Sequence, residues 1–268
     1  YDIMLICWHF PGSREPAGER SAAVTDMHCH ILPCVDDGAS SVEEACSMAW
    51  KAWENGTERI IATPHFCRPD QRRRLSISEF RRCVYLLQKG LQELGCGLEL
   101  RSGMEVFATA ELPKLMEERK LLTLADSRYL LVEFYFDEHE TYICDTLRMV
   151  AERGFVPVIA HPERYHAVQR TPALAREWFS RGYIMQLNKG TILGRMGQDA
   201  KQTAWWLLER GLAHVVASDA HSVGRRNPDL SQVRDVIGQD LSWQYAEVLL
   251  EENPWRIFRN EKIVPARS

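Results

Sequence analysis

Val24-Thr25-Asp26-Met27-His28-Cys29-His30-Ile31-Leu32-Pro33 is the stretch from which the fold can be read. A short apolar run leads off into a loop, and because strand side chains alternate, His28 and His30 emerge on one side. Two imidazoles so placed can share a metal ion. Alone the pair is weak evidence, since the chain has 9 histidines and two incidental ones would read the same way. The arrangement returns far downstream, however, where Val215-Val216-Ala217-Ser218-Asp219-Ala220-His221 closes an apolar run with Asp219 and His221 two residues apart.

Four further segments have the same form: Ile61-Ala62-Thr63-Pro64-His65, Ser102-Gly103-Met104-Glu105, Leu131-Val132-Glu133-Phe134 and Val158-Ile159-Ala160-His161. Each is an apolar run that ends in His or Glu. The pattern predicts strands over 24–28, 59–63, 98–103, 129–134, 156–161, 183–187 and 214–218. Helical stretches fall between them at about 41–55, 77–94, 140–153, 171–181, 198–211 and 229–237, several opening on a capping residue such as Ser41 or Ser78. Strand alternating with helix means parallel βα units, and this number of them predicts one distorted (β/α)7 TIM-like barrel, an α/β fold, in a single domain over 24–268. Residues 1–23 mix Pro11, Gly12, Pro16 and Gly18 with charges and carry neither period. They are expected to be disordered or an over-extended start, and their removal to leave activity intact.

Composition narrows the class. At 268 residues, 45% hydrophobic and 26% charged, the chain has enough apolar content for a large core and is not a disordered or collagenous sequence. Its 33 basic and 37 acidic residues give a net charge of -4, so no general attraction to nucleic acid or anionic lipid is expected. The 8 cysteines include no C-x-x-C pair, which argues for reduced cytoplasmic thiols over a zinc ribbon or disulfide scaffold. The apolar run Ile3–Phe10 is too short to span a bilayer, and no export or membrane insertion is expected.

In a parallel barrel the carboxyl ends of all strands converge on one face, so these six segments deliver their polar ends to one pocket. One buried His or Glu is usually a satisfied core group; six together are costly unless multivalent cations neutralise them. Nitrogen and oxygen donors without thiolate suit Zn, Mn, Fe or Co. Three divalent ions would carry about +6 against about -4 from Asp37, Glu105, Glu133 and Asp219, leaving a centre that attracts anions. Arg164 and Arg225 follow His161 and His221 on adjoining loops, where planar guanidinium forks can grip phosphate oxygens or form ordinary surface ion pairs.

Beyond this reading, the segments resemble a known family. Asp26-Met27-His28-Cys29-His30-Ile31-Leu32-Pro33, Val35-Asp36-Asp37-Gly38-Ala39, Ala62-Thr63-Pro64-His65, Gly103-Met104-Glu105, Val132-Glu133-Phe134, His161-Pro162-Glu163-Arg164-Tyr165 and Ser218-Asp219-Ala220-His221 are similar to the polymerase and histidinol phosphatase (PHP) superfamily. More closely they resemble its capsular and exopolysaccharide tyrosine-protein phosphatases of the CpsB/YwqE type. The resemblance runs from about Val24 to Asn253-Pro254.

It implies a trinuclear metal centre, typically Mn2+ with Fe, Zn, Co or Mg as alternatives. The metal ligands implied are His28, His30, Glu105, Glu133, His161, Asp219 and His221. Asp37 and His65 lie in or beside the same cluster as catalytic groups, and Arg164 and Arg225 hold the phosphate. The implied substrate is a phosphotyrosine protein, a bacterial tyrosine autokinase, attacked in line by a metal-bound hydroxide.

Three rivals follow from the same sequence. A PHP-type small-molecule phosphatase, such as a histidinol phosphatase, would share every metal residue. Cys67 and Arg73 have the C-x5-R spacing of thiol phosphatases, but the intervening loop has no glycine and contains Pro69, which has no N–H to offer phosphate. The basic loop Arg68, Arg72, Arg73 and Arg74 could guide an acidic phosphopeptide toward the site or simply be solvated, and a non-catalytic metal-stabilised binding module could use it on nucleic acid.

Overall fold

A computed structural model describes residues 23–70 and 74–265; the extension before residue 23, together with Arg72 and Arg73, lies outside the described residues. Nine strands are present among the described residues: β1 (Val24–Cys29), β2 (Thr57–Ala62), β3 (His65–Phe66), β4 (Glu99–Ser102), β5 (Glu105–Phe107), β6 (Tyr129–Glu133), β7 (Val156–Ala160), β8 (Ile184–Asn188) and β9 (Val215–Ala217). All their pairings are parallel. They form a three-stranded sheet, β1-β2-β4, and a six-stranded sheet, β3-β5-β6-β7-β8-β9.

The split has a local cause. β2 and β3 are one strand interrupted at Thr63-Pro64, where proline cannot donate to the ladder. β4 and β5 are one strand interrupted at Gly103-Met104, where any Cβ on Gly103 would lie 2.9 Å from Ile61 Cγ2. The backbone hydrogen bonds bridge both breaks, Gly103 N–H to Ala62 O at 2.9 Å and Glu105 N–H to Pro64 O at 3.1 Å. At the other edge β1 meets β9 through a parallel bridge between Cys29 and Ala220, with His30 N–H to Ala220 O and Asp219 N–H to His28 O both at 2.9 Å. Counting each interrupted pair once, the ring has seven staves, so the expected seven-fold barrel is the observed one.

The larger helices outside the ring are α1 (Val42–Glu54), α2 (Ile77–Glu93), α3 (Leu112–Glu117), α4 (Glu140–Glu152), α5 (His166–Arg170), α6 (Ala173–Ser180), α7 (Lys189–Ile192), α8 (Gln198–Glu209), α9 (Ser231–Asp240), α10 (Trp243–Glu247) and α11 (Asn253–Phe258). Ser41 caps α1, accepting from Glu44 N–H at 3.2 Å. At α2 the cap is Ser76, not Ser78. Ser76 and Glu79 form a reciprocal capping box, which needs the acid three residues after the cap, whereas three residues after Ser78 stands Arg81. Trp205 and Trp206 on α8 are half-buried, with Trp205 Nε1 donating to Ile192 O, which is a packing role.

Two apolar layers result. One lies between helices and sheet and includes Met48, Leu87, Leu147, Val168 and Leu207. The other fills the barrel with Met27, Ile61, Leu131, Val158, Val215 and Ala217, closed below by Ile257 of α11. The amino-terminal half of the barrel is therefore filled by apolar side chains, and the candidate site residues gather at the opposite mouth.

His214 is buried against the Phe179 ring, 4.9 Å between centroids, and its Nδ1 accepts from Met185 N–H at 3.0 Å. Burial pushes its pKa down to about 4. Below the ordinary value near 6.5 the unfolded chain binds the proton and the folded chain does not. The contribution is thus intact above pH 6.5 and lost between about 6.5 and 4, by up to about 1.4 kcal/mol per pH unit. Urea titrations across this window should show a stability slope smaller by roughly one proton in His214→Asn; equal slopes would refute the assignment.

Candidate metal centre

The strand ends at the polar mouth carry His28 on β1 and His30 just after it, His65 on β3, Glu105 on β5, Glu133 ending β6, His161 after β7, and Asp219 and His221 after β9. All eight are buried. Three overlapping groups have ligand atoms within 4.8 Å of one another: His28, His30 and Glu105; His65, Glu105 and Glu133; and His30, Asp37, His65 and His221. His161 Nε2 lies 3.0 Å from Glu105 Oε1, and Asp219 Oδ1 lies 3.6 and 3.5 Å from the Nε2 atoms of His28 and His30. Asp37 is exposed at the rim, its Oδ1 3.4 Å from His65 Nε2 and 3.3 Å from His221 Nε2.

The backbone is bent to achieve this. His161 and Asp219 both adopt left-handed φ, 35° and 48°, a conformation that costs a non-glycine residue of order 1 kcal/mol or more. A register shift in the β1–β2 pairing between Asp26 and Cys29 re-aims the end of β1, and Asp26 Oδ1 ties it to β9 by accepting from Ser218 N–H at 3.0 Å.

Hydrogen bonds at the far side of each ring set the tautomers. His28 Nδ1 faces Gln186 Oε1 at 2.8 Å and His30 Nδ1 faces Asp36 Oδ2 at 2.6 Å; both partners are acceptors, so both Nδ1 atoms carry the proton. Two Nε2 lone pairs then point at each other across 3.2 Å, with Glu105 Oε2 3.3 Å from each. Two lone pairs above a carboxylate make sense only around a cation. His161 Nδ1 is likewise buried with no hydrogen-bond partner, while Glu133 Oε2 and His221 Nε2 face only other members of the cluster, His65 Nδ1 at 3.4 Å and Asp37 Oδ1 at 3.3 Å. These donors fit divalent ions of the hard to borderline type.

Without such ions the cluster turns to protons. Burial pushes the Glu105 carboxyl up, but His28, His65 and His161 outweigh it and hold it well below the usual range. Burial pulls His65 down, yet Glu105 beside it raises the imidazole to about 9. Burial likewise opposes charge on His30, and Asp36, Asp219 and Glu105 raise it well above the ordinary value. Metal binding must therefore displace protons, and affinity falls on acidification.

The centre forms one wall of a cleft of about 490 Å3, lined also by Arg68, Asp70, Phe107, Tyr135, Phe136, Arg164 and Arg226. Arg164 lies over the Phe136 ring at 4.0 Å. Arg225 is exposed and is not among the lining residues; the adjacent Arg226 faces the cleft, donating to Asp219 Oδ2 at 2.7 Å and keeping a buried Nε without a partner. The cause is a turn: His221 N–H and Ser222 N–H both bond Arg226 O, which folds the loop back and turns Arg226 inward.

Sequence reasoning passed over Gln186 and Asn188, and it named Asp36 only within a motif and Arg68 only within the basic loop. Gln186 and Asn188 sit two apart on the apolar strand β8, and Asn188 Nδ2 donates to Asp219 Oδ2 at 2.6 Å; the alternation rule would have found both. Arg68 Nη1 lies 3.0 Å from His65 Nε2.

The thiol route fails on geometry. Cys67 is 1% exposed, and burial pushes its pKa up to about 11, the reverse of an activated thiolate. In the basic loop, Arg68 pairs with Asp70 and Arg74 with Glu111.

The family model for capsular polysaccharide synthesis, CpsB/CapC, matches residues 24–259. Tyrosine-protein phosphatase YwqE of Bacillus subtilis is 33% identical over 238 residues, covering 89% of this chain and 92% of that protein. Tyrosine-protein phosphatase CpsB of Streptococcus pneumoniae is 31% identical over 248 residues, covering 89% and 99%. A crystal structure from work on these two proteins, described as unique metal-dependent tyrosine phosphatases, superposes with a TM-score of 0.83 at 32% identity, covering 90% of this chain and 96% of that one. A beta-aspartyl dipeptidase from Fervidobacterium islandicum AW-1, 14% identical with a TM-score of 0.51, shares the fold alone.

Proposed function

The chain belongs to the CpsB/CapC family of capsular polysaccharide synthesis, and on that premise we propose that its cleft is the active site of a metal-dependent tyrosine phosphatase. The observation that carries this is the pair of inward lone pairs on His28 and His30, set over Glu105 in a cleft rimmed by arginines. We assign His28, His30, Glu105, Glu133, His161, Asp219 and His221 as metal ligands, with His65 and Asp37 completing the outermost group, and three Mn2+ ions as the occupants. Bound ions would supply Lewis acidity toward phosphate and a water nucleophile ionised near neutral pH.

The chain's own groups do the rest. Arg164, braced on Phe136, and Arg226, turned inward by its loop, bind the equatorial phosphate oxygens. Gln186 and Asp36 hold the His28 and His30 rings in the tautomers that leave Nε2 free for metal. Tyrosine leaves with a pKa near 10 and needs little protonation. His65 and Asp37, at the mouth, are the groups placed to hold that proton.

The physiological substrate we propose is the phosphotyrosine tail of a bacterial tyrosine autokinase, met in the cytoplasm; among the described residues no helix is long and apolar enough to cross a membrane. The test is kinetic. Metal-loaded protein should hydrolyse a phosphotyrosyl peptide with a kcat/KM at least about tenfold above that for histidinol phosphate. The reverse order would assign the site to small-molecule phosphomonoesters.

A further inference from the structure

The segment that follows the candidate ligand Glu133 is Phe134-Tyr135-Phe136, and its three rings are used differently. Phe134 is 1% exposed and belongs to the core. Phe136 is engaged on several sides: Arg164 lies over it at 4.0 Å, and the His161 and Tyr165 rings approach at 5.9 and 6.5 Å between centroids. Tyr135 is 49% exposed and contacts Phe107 edge-on, 4.7 Å between centroids, which fixes its ring at the cleft wall. Of the exposed large apolar side chains among the described residues, which include Tyr85, Tyr142 and Trp243, Tyr135 is the one that lines the cleft.

Leaving half a tyrosine in water forgoes burial that a neighbouring aromatic could supply. The β5–β6 pairing sets Phe107 opposite Glu133, so the edge-on brace and the proposed metal centre share one strand pair. A phosphoryl group held by the centre and Arg164 would bring its own ring against this wall.

We propose that Tyr135, held by Phe107, is the specificity-determining seat for the aryl ring of the substrate, so that the cleft prefers aryl over alkyl phosphates; this rests on the phosphotyrosine reading above. Phe136 acts differently, as a positioning residue that aims Arg164.

The test uses metal-loaded full-length protein. Calorimetry would give dissociation constants for benzylphosphonate and methylphosphonate, alongside kcat and KM on a phosphotyrosyl peptide. Tyr135→Ala should reduce the benzyl-to-methyl affinity ratio about five- to tenfold and raise peptide KM by a similar factor with little change in kcat, while Tyr135→Phe should stay within about twofold of wild type. An unchanged ratio in Tyr135→Ala, or equal losses for both phosphonates, would overturn the seat while leaving the phosphatase reading intact. Wild-type protein that binds metal but fails to hydrolyse the peptide would overturn both.

Discussion

Glu105→Gln should bind divalent metal at least about 100-fold more weakly and lose about 10³ or more in kcat/KM on a phosphotyrosyl peptide at fixed metal concentration. Gln matches the shape of Glu, so the loss isolates the charge. Glu105 is the one acid shared by two of the three ligand groups. Its Oε2 lies 3.3 Å from the Nε2 atoms of His28 and His30 and 2.8 Å from His65 Nδ1, and its Oε1 lies 3.0 Å from His161 Nε2. Removing one negative charge leaves four imidazoles around a neutral amide. A cation at that position then loses the anion that offsets its own desolvation. Elemental analysis and kinetics on the same preparation check the claim. A Gln variant with full metal content would remove Glu105 from the ligand set.

Arg226→Ala should lose about 10²-fold in kcat/KM with its metal content retained, while Arg225→Ala should change less than about twofold. The difference follows from the turn that folds Arg226 into the cleft and leaves its neighbour exposed. In the structure Arg226 is held by Asp219, and its buried Nε remains available to an incoming phosphate oxygen. Arg226→Lys should recover only part of the loss, because a point charge cannot reproduce a fork. The opposite ranking of the two alanine variants would return the phosphate contact to Arg225.

That pair of arginines marks where sequence reading stops. Strand periodicity is local, so the ends of β1, β6, β7 and β9 could be located, and with them the residues that meet at the mouth. The direction of a turn is a tertiary property. Nothing in Ser222-Val223-Gly224-Arg225-Arg226 states that backbone bonds from His221 and Ser222 will close on residue 226. The adjacent acids Asp36 and Asp37 pose the same problem: one orients His30 from behind and the other reaches His65 and His221 at the rim. The interruptions at Pro64 and Gly103 were visible as residues, but their consequence, a ring split into two hydrogen-bonded sheets, depends on both falling side by side. The capping box at Ser76 and Glu79 was fully present in the sequence and needed only the three-residue spacing to be applied.

Stripped and reconstituted protein offers the most direct measurement. Mn2+ titrated into chelator-treated chain and followed by calorimetry should bind with a stoichiometry above one, release protons, and restore phosphotyrosyl hydrolysis in parallel. Full activity in protein shown by elemental analysis to be free of divalent metal would contradict the account.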